Sequence, residues 1–241
     1  MIKKKEKKSL LKHSIEMILI IIVAILIRST LYEPYVVPSS SMFPNLLIGD
    51  RVIVNKYIYG ISKHSFPFSP NLFKGRFLPI KKPKRGDIVV FETDKVYVKR
   101  LIGLPGDKVQ VLDGSLYIND SKVPKILTYP FANEEQMNIP RYIEILPDNI
   151  SHTVLDSRTN STFDNTEPYV VPEDHYFFMG DNRDNSRDSR DMSGNIGFVH
   201  YDNLLGKVTK IFFSSKEVTW YNIPNILLNL RSDRFFHSVV D

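Results

Sequence analysis

The chain has 241 residues, 42% hydrophobic and 24% charged, enough to bury a core and too ordinary a mixture for wholesale disorder. It has no cysteine, which excludes disulfides, thiolate metal sites and cysteine nucleophiles. The net charge of +5 owes most of its excess to Lys3, Lys4, Lys5, Lys7, Lys8 and Lys12, ahead of an apolar run, a placement that fits membrane orientation and argues against nucleic acid as a partner.

That apolar run covers residues 17–27, between Glu16 and Arg28. Eleven helical residues reach only about 16 Å, against roughly 30 Å of hydrocarbon. Extended over residues 15–32 the helix gains a length of about 27 Å, and Pro34 ends it. No Ala-x-Ala site follows, so the segment reads as an uncleaved anchor and not a removable leader. The expected layout is a cytoplasmic lysine-rich tail over residues 1–14 and a single transmembrane helix over 15–33. The remainder would then lie on the extracytoplasmic side of the cytoplasmic (inner) membrane.

Beyond the anchor the pattern is mainly β. Segments 51–59, 87–91, 96–102 and 108–112 are rich in Val, Ile and Tyr and bounded by turn residues, as are 169–171, 175–179 and 206–213. Leu104-Pro105-Gly106-Asp107 fits a type II turn, and Asp113-Gly114 a two-residue hairpin. Pro224 opens a short helix through residue 230. Residues 113–172 carry more Asn, Pro and Thr and weaker periodicity. The expectation is an antiparallel catalytic core over 34–112 and 173–241, with 113–172 inserted as a second β subdomain.

Three stretches carry polar residues where chemistry is possible. Pro38-Ser39-Ser40-Ser41-Met42-Phe43-Pro44 follows the anchor, and serines beside prolines are usually plain loop. A serine nucleophile needs an activating base. The histidines beyond the anchor are scattered singly and no Gly-x-Ser-x-Gly elbow exists, so the histidine route fails. In residues 96–102 a strand puts Tyr97, Lys99 and Leu101 on one face, where a desolvated lysine could serve as a neutral base; an exposed edge lysine is the bland alternative. Residues 180–191, rich in Asp and Asn, are a poor calcium loop. Ser189 stands where an EF-hand needs glycine, and Arg183, Arg187 and Arg190 neutralise the carboxylates. A rigid, self-paired polar loop is the better reading.

Together these boxes resemble the type I signal peptidases. Glu33-Pro34-Tyr35 and Ser39-Ser40-Ser41-Met42-Phe43-Pro44 match the family's Glu-Pro-Tyr and Ser-x-Ser-Met-x-Pro. Residues 85–91 match Arg-Gly-Asp-Ile-Val-Val-Phe, and 103–107 match the Gly-Leu-Pro-Gly-Asp turn after the lysine strand. Residues 180–190 match Gly-Asp-Asn-Arg-Asn/Asp-Asn-Ser-x-Asp-Ser-Arg. Asn45 departs from the usual threonine, and the aromatic stretch 66–77 aligns with no family pattern.

The resemblance implies a serine endopeptidase that removes signal peptides from secretory preproteins with small residues at the first and third positions before the cut. Ser41 would be the nucleophile and Lys99 the base. Ser39 and the Ser41 backbone would form the oxyanion hole, Ser186 would orient Lys99, and Asp188 and Arg190 would brace the loop. Neither metal nor cofactor is implied. The bilayer is the second expected partner, with Met42, Phe43, Phe66, Phe68, Phe73 and Phe77 either resting on lipid or filling the core. Another Ser–Lys peptidase, of the conjugation-pilus or self-cleaving repressor kind, and a catalytically dead tethered β-module are the rival readings.

Overall fold

The apolar segments pair into three antiparallel sheets in the computed structural model, which describes residues 12–24, 31–66, 75–132, 138–158, 160–219 and 221–239. The large sheet runs β1 (Tyr32–Val36), β2 (Asp50–Asn55), β14 (Leu204–Ser214), β3 (Ile88–Glu92), β4 (Val96–Gly103), β12 (His175–Met179) and β13 (Val199–His200). β15 (His237–Ser238) pairs with β14. A four-stranded sheet consists of β11 (Tyr169–Val170), β5 (Lys108–Leu112), β6 (Ser115–Ile118) and β7 (Ser121–Lys122). The third joins β10 (Ile150–Leu155), β9 (Arg141–Leu146) and β8 (Lys125–Leu127). Residues 12–24 are helical (α1), and α2 spans Ile223–Leu228.

Three apolar clusters hold these sheets together. Met42, Leu46, Val52, Val54 and Val208 fill one, and Tyr59, Phe91, Tyr97, Leu101 and Phe178 a second. Ile102, Val109, Leu116, Phe177 and Met179 form the third, which fastens the four-stranded sheet to the large one. Each fully buried large side chain contributes about 1.5–3 kcal/mol. β4 is shared by the second and third clusters, so its backbone is among the most firmly held in the molecule.

The turn chemistry explains the chain reversals. Asp113 and Gly114 both have positive φ, 46° and 68°, as a type I′ hairpin requires. Gly106 takes φ 86° where the type II turn at 104–107 needs it, closed by the Asp107 N–H donating to Leu104 O at 3.0 Å.

One detail of pairing matters for the site. β3 accompanies β4 from Val96 to Arg100, whereas β12 joins its other edge only at Arg100, Leu101 and Gly103. Along residues 96–99 that second edge carries no strand among the described residues.

Several expectations are corrected. Residues 32 and 33, assigned to the membrane helix, are strand, because Tyr32 and Glu33 pair with Asn55 and Val54. The strand forecast over 51–59 stops at Asn55, and Tyr57–Tyr59 turns as a 3-10 helix. β5, assigned to the catalytic core, belongs to the four-stranded sheet through its pairing with β6 and β11. Met42 and Phe43 are each 1% exposed and fill the core, so they do not lie on lipid. Phe77 is exposed, Phe66 half-buried, and Phe68 and Phe73 lie outside the described residues. No helix among the described residues is long and apolar enough to cross a membrane; part of the expected anchor, residues 25–30, lies outside them.

Candidate active site

Alternation along β4 sends consecutive side chains to opposite faces. Lys99 turns toward the segment after β1, and its Nζ stands 2.5 Å from Ser41 Oγ in a hydrogen bond. Both are buried, Ser41 at 9% and Lys99 at 4% exposure. Burial pushes the Lys99 amine down to about 8 from its ordinary 10.5, although the charges of Asp188 and Asp181 pull it upward.

Ser41 sits on a 3-10 turn over Ser40–Met42. Three donors from the 180–191 loop pin it. The Asn182 N–H donates to Ser41 O (3.1 Å), Asn182 Nδ2 to Ser40 O (3.1 Å) and Asn185 Nδ2 to Ser40 Oγ (2.7 Å). Ser39 Oγ lies 3.3 Å from Ser41 Oγ. Gly180 is tightly enclosed here: a Cβ added to it would stand 2.1 Å from Ser186 Oγ and 2.6 Å from Ser41 O.

Asp188 and Arg190 form a bidentate pair at 2.8 and 2.9 Å, and the Gly180 N–H donates to Asp188 at 2.9 Å. Burial raises the Asp188 carboxyl, but the charge and hydrogen bonds of Arg190 outweigh it and hold the group below its usual range. Arg190 also donates to Arg183 O at 2.6 Å, closing the loop on itself. Ser186 departs from expectation. Its hydroxyl is buried within reach of Asp188, whose acidity it strengthens, yet its geometry falls short of a hydrogen bond, and the expected contact with Lys99 is not made.

On the opposite face of β4, Arg100 grips Asp181 through Nε and Nη2, both at 2.8 Å. Asn45 donates from Nδ2 to Asp181 Oδ2 and to Thr153 O, each at 2.7 Å, tying the Ser41 loop to β10. Arg183 pairs with Glu144 of β9, a fully buried carboxylate. Sequence reasoning missed the bracing roles of Asn45, Arg100 and Glu144. Asn45 was visible as a departure from pattern, whereas nothing marked Glu144.

A cavity of about 400 Å³ opens over the Ser41–Lys99 contact. Its lining comes from the segment after β1 (Tyr35, Val36, Val37, Pro38, Ser39 and Met42), from Lys95 through Val98, and from Asn185 and Arg187 of the 180–191 loop. The described residues offer one grouping with metal-ligand spacing, Asp156, Asp164 and Asp184. There Lys125 already pairs with Asp156, and the Ser157 and Arg158 N–H groups with Asp184.

The sequence pattern of the family described as "Signal peptidase, peptidase S26" matches residues 10–213. The chain belongs to the S26 signal peptidase family. It is 40% identical over 230 residues to a signal peptidase I of Rickettsia bellii (strain OSU 85-389), covering 89% of this chain and 78% of that one. The signal peptidase I of Rickettsia typhi (strain ATCC VR-144 / Wilmington) matches at 40% over 228 residues, 88% of this chain and 84% of the relative. A crystal structure of a signal peptidase I from Enterococcus faecalis V583 shares 31% identity over 54% of this chain and 98% of that one, with a TM-score of 0.32.

Membership makes the protein a hydrolase, a serine endopeptidase that cleaves signal peptides from secretory preproteins. The Asn45 departure finds its account, because an amide at this position reaches both Asp181 and Thr153.

Proposed function

We propose that the protein is a membrane-anchored signal peptidase working through a Ser41–Lys99 dyad. The observation that carries this reading is the 2.5 Å contact between Lys99 Nζ and Ser41 Oγ inside a buried site. With its pKa near 8, about one Lys99 in ten is neutral at pH 7, against a few in ten thousand for lysine in water. The neutral amine accepts the Ser41 proton as Oγ attacks the scissile carbonyl. Lys99, now ammonium, returns a proton to the leaving amine. The acyl-enzyme remains on Oγ until a water, deprotonated by the same lysine, releases it.

The tetrahedral oxyanion needs donors, and the Ser39 hydroxyl, 3.3 Å from Ser41 Oγ, and the Ser41 N–H would supply them. Asp188 and Arg190 hold the loop that pins the serine, and Ser186 is a positioning residue that would engage Lys99 once Ser41 Oγ has given up its proton and carries the acyl group. The unpaired edge of residues 96–99 suits an extended peptide, whose backbone would add to β4 as a strand. The cavity's Val36, Val96 and Val98 leave apolar space of a kind that takes small side chains before the cut.

Anchoring rests on the apolar sequence 17–27 and on α1. There Ile15, Met17, Ile18, Leu19, Ile20, Ile21, Ile22 and Val23 are all exposed, which a helix tolerates in lipid and not in water. The decisive experiment is cleavage of a fluorogenic signal-sequence peptide by purified protein. Wild type should cut after the small residue, and Ser41→Ala should be inert while folded. Cleavage by Ser41→Ala would remove the serine from the mechanism.

A further inference from the structure

The cleft described above also holds two exposed cations, Lys95 and Arg187; the charge of Lys95 helps to lower the Lys99 amine, but neither side chain touches Ser41 or Lys99. Lys95 precedes β4, on the same side of the strand alternation as Tyr97 and Lys99, and its Nζ lies over the Tyr97 ring at 5.4 Å. Arg187 reaches the same cleft from the 180–191 loop, and its charge is felt at the Tyr97 hydroxyl. Both are exposed and both line the cavity. Neither has an ion-pair partner among the described residues. The carboxylate nearest in sequence, Asp94, is engaged elsewhere: it accepts from Tyr97 (3.0 Å), Thr93 (3.1 Å) and Asn195 (2.8 Å) and does not line the cavity.

Every other arginine of this loop is spent on structure, Arg183 on Glu144 and Arg190 on Asp188. Arg187 stands at a position the family pattern leaves open and braces nothing. Two cations, unpaired and set into a peptide cleft, attract a carboxylate.

From these observations we infer that Lys95 and Arg187 form a subsite for an acidic residue of the preprotein. The inference rests on the peptidase reading above and extends it to substrate choice. Four residue steps lead from Lys95 to Lys99, about 13 Å at 3.3 Å per step, so an extended substrate meets the pair about three to four residues from its scissile bond. A Glu or Asp at that place would be drawn in, and a Lys or Arg repelled.

The test is a set of matched peptides carrying Glu, Gln or Lys in turn at each of five positions on either side of the cut. At one position about three to four residues away, Glu should lower KM about three- to ten-fold relative to Lys, with kcat little changed. The advantage should shrink in high salt, where exposed charges are screened. Arg187→Glu and Lys95→Glu should each reverse the preference toward Lys. The ratio of Glu to Lys peptides is the readout, so a general loss of activity near Ser186 cannot imitate it, and Lys95→Glu keeps the test open if Arg187→Glu folds poorly. Equal kcat/KM for Glu, Gln and Lys at every position would overturn the inference while leaving the peptidase reading intact. Failure to cleave any of the peptides would remove the peptidase reading instead.

Discussion

Lys99 and Arg100 are adjacent cations on one strand, and the two faces of β4 treat them in opposite ways. Arg100 meets a carboxylate in bidentate geometry and a backbone carbonyl, so all its charge is answered. Lys99 is equally buried but touches a hydroxyl, and its nearest carboxylates act on it only from a distance. The first arrangement makes a brace, and the second leaves an amine free to act as the proposed base. Burial alone decides neither; what decides is whether burial comes with a counter-charge.

The largest effect expected from breaking this contrast is catalytic. Lys99→Ala should lower kcat about 10⁴-fold or more while circular dichroism and the unfolding transition stay native, because nucleophile and base act as a unit. In wild type, kcat/KM on a short peptide should climb with pH through about 8, where Lys99 loses its proton. A rising limb near 10 instead would show that the lysine is not desolvated in solution.

On the other face the expected damage is to the fold. Arg100→Ala strands Asp181 as a buried, unpaired charge, and should cost about 3–5 kcal/mol by denaturant unfolding. Activity should fall with it, since Asp181 also holds Asn45 of the Ser41 loop. A loss under about 1 kcal/mol would mean that water already screens the pair.

Lys99→Met sharpens the comparison because its sign is opposite. The folded pKa near 8 lies below the unfolded 10.5, so the unfolded chain binds the extra proton between those values. Wild-type stability from this group therefore declines as pH drops from about 10.5 to 8 and is level below. The full penalty is about 3 kcal/mol, and Lys99→Met should recover part of it at pH 7 while remaining inert. A variant less stable than wild type at neutral pH would contradict the desolvated-amine account.

The smallest effect should come from Asn45→Ala, which removes two 2.7 Å hydrogen bonds and leaves Asp181 with Arg100 alone. About 1–2 kcal/mol of stability should go, with a modest fall in kcat. A kcat loss rivalling that of Lys99→Ala would instead make Asn45 part of the chemistry.

The elements closest to this contrast were the most legible in the sequence. Segments 108–112 and 175–179 coincide with β5 and β12, and 96–102 with β4 short of Gly103, because their β-branched and aromatic runs end at turn residues with positive-φ demands. The hairpin at Asp113-Gly114 was equally plain. What escaped was tertiary. Tyr32 and Glu33 look like the end of an apolar helix until β2 offers them partners, and local propensity holds no record of that pairing. β9 and β10 were hidden inside a region of mixed polar texture. Lys99 and Ser41 were singled out because family boxes name them, whereas their 2.5 Å approach spans 58 positions of sequence. Glu144 illustrates the remaining gap: its partner Arg183 sat in a conspicuous motif, but a lone glutamate in a strand reads as solvent-facing until the fold buries it.

The open edge along residues 96–99 has a further consequence, for solubility and turnover. An unpaired strand edge is where sheet proteins stick to one another, and most hide it. Here it is only four residues long and recessed in a cleft, with Lys95 and Arg187 at its mouth, so a second copy finds few backbone groups to pair with and meets like charge on approach. A short edge also lets go easily. If the cleaved peptide pairs there as proposed, few hydrogen bonds would hold it, so release should keep pace with chemistry, and a compound built to block the site would have to draw its grip from the cleft walls and not from the edge.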